Sequence, residues 1–189
     1  CGKKNIVLFA SVFHRDDVDF LETLNCPIYK IASFEITDLD LIEYAADTGK
    51  PLIISTGMAT FQEIDDAVVR AHYGGCMDLT LLKCTSSYPA PIEDCNLLTL
   101  QAMRWGGWDC DVGLSDHTMG STAAAAATAL GAAVIEKHLI LDRADGGPDA
   151  AFSAEPEEFA AMVLACRETV KAVGIEQFGP TPSETSSLQ

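Results

Sequence analysis

The sequence predicts an α/β fold on a parallel sheet, in the form of a partial TIM (β/α)8 barrel. Short apolar runs alternate with helix-period segments, giving six strands along 189 residues, which is the pattern of repeated strand–helix units. Each strand exit also carries polar chemistry: Ser11; Lys30, Ser33 and Glu35; Ser55; Lys83, Ser86 and Tyr88; Ser115 and His117; His138. An open sheet gathers its ligand groups at one switch point, whereas a barrel brings every strand end to a common mouth. The distribution therefore favours the barrel. Six strands do not close one, so two are expected to be missing from this chain.

The elements follow in order. Ile6–Phe9 is the first strand and Asp16–Leu24 its helix. Ile28–Ala32 is the second strand, leading to a helix near Leu39–Asp47. Thr48-Gly-Lys-Pro51 ends that helix and starts the third strand, Leu52–Ser55. Thr60-Phe-Gln-Glu63 is a capping box for a helix reaching about His72. Leu79–Lys83 is the fourth strand, and its exit, Cys84-Thr-Ser-Ser-Tyr-Pro-Ala-Pro91, is a rigid loop before a helix near Leu97–Met103. Asp111–Leu114 and Ala133–Ile135 are the fifth and sixth strands, flanking an alanine-rich helix, Ser121–Leu130, closed by Gly131. A last helix spans about Pro156–Val173, with Ser153 as its expected cap and Phe159, Met162, Val163, Cys166 and Val170 at helical spacing. After Gly174 the composition becomes that of a polar, Pro/Ser-rich linker.

Composition narrows the partners. A net charge of −16 argues against nucleic acid or an anionic membrane surface. Any anion site must then be locally basic within an acidic envelope, with Lys30 and Lys83 as the candidates. Seven cysteines without CxxC spacing read as reduced thiols of a cytoplasmic protein. Cys84 lies beside the predicted site but has no evident activating base.

The stretch 113–138 organises the chain. In a strand–helix–strand unit the strands run parallel and adjacent, so His117 and His138 should share one mouth. Two neutral imidazoles there form half of a metal site with positions left for substrate. Taken singly, either histidine reads as a polar residue satisfied by backbone. Ser115, Asp116 and Glu136 beside the pair favour the site, with Asp116 and Glu136 orienting the histidines. For Lys83, the alternative to an anion site is neutralising a neighbouring acid such as Asp116 or Glu136, which ranks it below Lys30.

The phrases Tyr29-Lys-Ile-Ala-Ser-Phe-Glu35, Ile53-Ile-Ser-Thr-Gly-Met-Ala59, Leu82-Lys-Cys-Thr-Ser-Ser-Tyr-Pro-Ala-Pro91, Gly113-Leu-Ser-Asp-His-Thr118, Ile135-Glu-Lys-His138 and Gly146-Gly-Pro-Asp149 together resemble the sialic-acid synthase family. Its members condense phosphoenolpyruvate with an N-acetylated hexose. The segment Asp142-Arg-Ala-Asp-Gly-Gly-Pro-Asp-Ala-Ala-Phe-Ser153 is especially similar to the pseudaminic acid synthase branch. Ser11 stands where the family commonly has threonine, and His14 where an acid is common. The resemblance implies that residues 1–175 are barrel strands three to eight without the first two βα units. Residues 176–189 would then be a linker towards an absent antifreeze-protein-like (SAF) domain.

The resemblance also implies roles. His117 and His138 would hold a divalent metal, Mn2+ first, with Mg2+ and Co2+ as alternatives. Lys30 would supply charge for phosphoenolpyruvate, with hydroxyls from Ser11, Ser33, Ser55, Ser86 and Ser115. Glu35, Tyr88 and Asp149 would face the sugar. The expected reaction yields pseudaminic acid and phosphate from a 2,4-diacetamido-trideoxyhexose, whose 4-acetamido methyl Ala150, Ala151 and Phe152 could contact. N-acetylneuraminate or legionaminate synthesis is the alternative of the same class. A metal-dependent aldolase or hydrolase, or a barrel that binds without turnover, are alternatives of other classes. A homodimer is implied for the parent protein. The chain alone is expected to be inactive and to self-associate through its open sheet edges.

Overall fold

In the computed structural model, which describes Lys4 and residues 6–188, six parallel strands form one curled sheet in sequence order. They are β1 (Ala10–Ser11), β2 (Tyr29–Ile31), β3 (Leu52–Ser55), β4 (Leu79–Cys84), β5 (Asp111–Asp116) and β6 (Ile135–Lys137). The helices are α1 (Arg15–Thr23), α2 (Leu39–Ala46), α3 (Phe61–Tyr73), α4 (Thr99–Trp105), α5 (Thr122–Ala129) and α6 (Pro156–Val173). The architecture is that of a partial TIM barrel, with all strand carboxyl ends on one side.

Strand alternation separates packing from chemistry. Tyr29 and Ile31, Leu52 and Ile54, and Leu79 and Leu81 join Leu41, Ile42, Ile64, Val68 and Leu100 in the main core. Lys30, between two core residues, is only 5% exposed and faces the mouth. Gly113 lets β5 and β6 approach closely, since a Cβ there would fall 2.3 Å from the Val134 carbonyl oxygen.

The α3 capping box forms as predicted. The Glu63 amide donates to Thr60 Oγ1 at 3.3 Å, and the Thr60 amide donates to Glu63 Oε2 at 2.7 Å. Thr60→Ala is expected to cost about 1 kcal/mol in reversible denaturant unfolding.

Several boundaries differ from expectation, each for a local reason. The first strand is Ala10–Ser11, not Ile6–Phe9, and Leu8 is 69% exposed. Ala10 pairs with Tyr29, so residues 6–9 would have to pair with 25–28. There Asn25 is left-handed at φ 53° and Pro27 lacks an N–H, which stops the ladder. The sixth strand is assigned at Ile135–Lys137, although the Ala133 amide already bonds Val112. Helix α4 begins two residues late, after a 3-10 turn at Ile92–Cys95 that ends in left-handed Asn96. Ser153 does not cap α6: its hydroxyl donates to the Asp149 carbonyl, while the Glu155 amide at the helix start donates to Glu158.

Among the described residues, no helix is long and apolar enough to cross a membrane. The six cysteines described are unpaired, with Cys26, Cys76, Cys84 and Cys95 buried; Cys1 lies outside the described residues.

Candidate active site

The mouth of the sheet encloses a cavity of about 370 Å3 lined by residues from all six strand ends and the Tyr88 loop. Its floor is Lys30. The ammonium donates to Ser55 Oγ at 2.7 Å and to the Ile31 carbonyl at 3.0 Å, with Glu136 Oε1 at 3.8 Å. Burial pushes the Lys30 pKa down, and the Glu136 charge opposes that shift. Glu136 Oε1 also accepts a 2.7 Å bond from Ser115. One wall is a hydroxyl pair, Ser33 Oγ and Ser86 Oγ, 2.9 Å apart.

Gly57 makes room for that pair. It is left-handed at φ 50°, and a Cβ would lie 2.5 Å from Ser33 Cβ and 2.8 Å from Ser86 Oγ. Gly57→Ala is therefore expected to destabilise the fold by about 1–3 kcal/mol, by strain at a special backbone position. The same change should weaken binding at the pocket. A variant matching wild type in both a melt and a ligand titration would contradict this.

His117 and His138 follow β5 and β6 directly, and their ring centroids are 5.3 Å apart. His117 Nδ1 lies 2.9 Å from the Thr85 carbonyl oxygen, so it must carry the proton, leaving the Nε2 lone pair free. His138 Nδ1 is 3.6 Å from Asp149 Oδ2. Burial, followed by the neighbouring His117, lowers the His138 pKa despite the Asp149 charge, which favours a neutral imidazole. Tyr88 packs on His117 at 4.3 Å and Phe152 on His138 at 5.1 Å, centroid to centroid. Burial raises the Tyr88 pKa, so its phenol stays protonated at neutral pH.

Of the predicted site residues, Ser11, Lys30, Ser33, Ser55, Tyr88, Ser115, His117 and His138 all line the cavity. Ser86 reaches it through Ser33. Glu35 and Asp149 are not part of the lining, though Glu35 Oε2 is buried without a hydrogen-bond partner. Three expectations are corrected. Lys83 bonds Thr85 Oγ1 at 2.6 Å, and the lysine that neutralises Asp116 is Lys137, at 2.7 Å. The groups next to the imidazole nitrogens are the Thr85 carbonyl and Asp149, while Asp116 and Glu136 bond other residues. Ala150 and Phe152 are buried against the protein, so only Ala151 of that trio is exposed.

The two imidazoles fit a divalent ion as neutral donors, with remaining positions for water or substrate. Among the described residues, no group of three or more His, Cys, Asp or Glu could hold one. Among the described residues, the pair His117 and His138 is thus a two-ligand site.

A family model described as the NeuB family matches residues 1–177. The chain belongs to the NeuB family. It is 48% identical over 176 residues to a pseudaminic acid synthase of Helicobacter pylori, covering 93% of this chain and 51% of that protein. It is 41% identical to an N,N'-diacetyllegionaminic acid synthase of Campylobacter jejuni, covering 91% of this chain and 52% of that protein. An N-acetylneuraminic acid synthetase from Leptospira borgpetersenii superposes with a TM-score of 0.91 at 36% identity, covering 99% of this chain and 65% of that structure. The chain spans about half the length of these curated relatives.

Proposed function

We propose that the chain is the catalytic barrel portion of a phosphoenolpyruvate-dependent nonulosonate synthase, a transferase acting on an N-acetylated hexose. The observation that carries this is the joining of a buried lysine, a ring of hydroxyls and two imidazoles in one cavity. An anionic three-carbon substrate needs the first two, and a sugar aldehyde awaiting attack by the enol carbon needs an electrophilic partner near the third. Residues 1–175 form the barrel portion and 176–189 the linker in this reading.

Lys30 is the cation that bonds one of the cavity serines directly, Ser55 at 2.7 Å. It holds the phosphate or carboxylate of phosphoenolpyruvate, with Ser11, Ser33, Ser55, Ser86 and Ser115 donating or accepting around it. His117 and His138 would hold the divalent ion, Mn2+ in the first instance. Bound there, the ion would supply Lewis acidity to the aldehyde oxygen. Tyr88 keeps its proton and is placed to donate to a sugar oxygen. Asp149 and the buried, unsatisfied Glu35 are acceptors for sugar hydroxyl or amide groups.

The preferred sugar is a 2,4-diacetamido-trideoxyhexose and the product pseudaminic acid, supported by the Arg143–Ser153 segment and the identity to the Helicobacter relative. The legionaminic relative supports a second reading with a different diacetamido sugar. Specificity constants for the intact protein with these sugars and N-acetylmannosamine separate the readings. At least a tenfold preference for the pseudaminate precursor is expected, and equal constants would overturn it.

A further inference from the structure

We propose that Asp116 and Lys137 form a buried clamp that positions the His117 imidazole relative to His138. The metal-binding part of this inference rests on the function proposed above. The two residues are partners in the last rung of the β5–β6 ladder, and the next residue on each strand is a histidine. Lys137 Nζ donates to Asp116 Oδ2 at 2.7 Å and to the Thr118 carbonyl at 2.6 Å. Asp116 Oδ1 accepts from the Thr118 amide at 2.9 Å and from its hydroxyl at 2.8 Å. Both polar groups of the Thr118 backbone are therefore held by this pair. His117 sits between Asp116 and Thr118, gripped from either side.

The remaining polar contacts of His117 come from β4 and the loop after it: Cys84 Sγ lies 3.8 Å from its Nδ1, the Ala90 amide donates to its carbonyl, and the Thr85 carbonyl accepts from its ring. They fix His117 against β4. The Lys137–Thr118 bond instead ties the chain beyond His117 to β6, the strand that delivers His138. It reaches a residue two past Asp116, where the backbone ladder ends. The paired side chains are 3% and 1% exposed. A buried ion pair is a weak source of stability, since an apolar pair of similar volume often serves as well or better. Setting the spacing of two metal ligands is a task that an apolar pair cannot perform, because it would leave Thr118 ungripped.

The test compares the intact wild-type protein with Lys137→Met, Asp116→Leu/Lys137→Met and Asp116→Asn. Lys137→Met strands a buried carboxylate, so it should lower both the melting temperature and Mn2+ affinity. The double variant removes both charges and should recover the melting temperature. Its Mn2+ affinity, from a titration followed by electron paramagnetic resonance, should remain weaker by about 10- to 100-fold. Recovery of stability and affinity together would overturn the proposal, because the pair would then be only structural. Nitrogen-15 spectra of the metal-free imidazoles give an independent readout: one Nδ1–H tautomer for His117 in wild type, and a mixture in the double variant. Wild type that binds no Mn2+ would sink the metal reading, while the tautomer signal still decides the clamp. If the double variant does not fold, Asp116→Asn replaces it. It keeps the side-chain shape and should still show weaker affinity and tautomer mixing; wild-type values for both would overturn the clamp.

Discussion

Replacing His117 and His138 together by alanine is expected to remove Mn2+ binding and to lower turnover of the intact protein by about 1,000-fold or more. Lewis-acid stabilisation of developing charge contributes several kcal/mol, and each 1.36 kcal/mol is a factor of ten. With two protein ligands, neither imidazole has a substitute: no third His, Cys, Asp or Glu completes a cluster among the described residues. The single variants should differ in their side effects. His117→Ala leaves the Thr85 carbonyl without its ring partner and should lower the melting temperature. His138→Ala removes a half-buried ring with no close hydrogen bond to its Nδ1, so the melt should change less. Calorimetric titration with Mn2+, alongside a melt, checks both. A double variant that retains turnover would remove the histidines from the chemistry.

Lys30→Met is expected to weaken phosphoenolpyruvate binding by about 100-fold, against about tenfold or less for Ser55→Ala. The gap follows from charge: losing the ammonium removes a full positive charge from a partly desolvated mouth, whereas losing the uncharged Ser55 hydroxyl removes one hydrogen bond, worth about 1 kcal/mol. Stability should move the other way. Burial holds the folded pKa of Lys30 below its ordinary 10.5, so folding disfavours the charged form. The unfolded chain therefore binds more protons between the depressed value and 10.5, and the wild type gains stability across that window as pH rises. Lys30→Met lacks that term, so its stability should lie nearest or above wild type at neutral pH and lose ground as pH rises towards 10.5. Equal binding losses for the two variants would make Lys30 structural.

The sequence made the mouth legible because strand ends in a barrel converge whatever the helices do. Lys30, Ser55, Ser115, His117 and His138 could thus be assigned to one cavity from their places after apolar runs. The resemblance supplied the roles. What escaped were partnerships fixed by side-chain direction across strands. Lys83 and Lys137 both adjoin the site in sequence, yet only Lys137 shares a rung with Asp116. A register of the two histidine strands, aligned on His117 and His138, would have shown that pairing. The first strand failed as a prediction because apolarity alone marked Ile6–Phe9, while pairing depended on Asn25 and Pro27 opposite. Ala150 and Phe152 read as free apolar contacts because a loop sequence does not show which side chains turn inward.

The central claim is that this cavity joins phosphoenolpyruvate to an N-acetylated hexose. The most direct measurement is phosphate release from phosphoenolpyruvate by the intact protein with Mn2+, with and without a 2,4-diacetamido-trideoxyhexose, and with the nine-carbon acid followed by mass spectrometry. The account predicts phosphate and acid in equal amounts, only when the sugar is present. Phosphate released at the same rate without sugar, or no acid formed with it, would contradict the account.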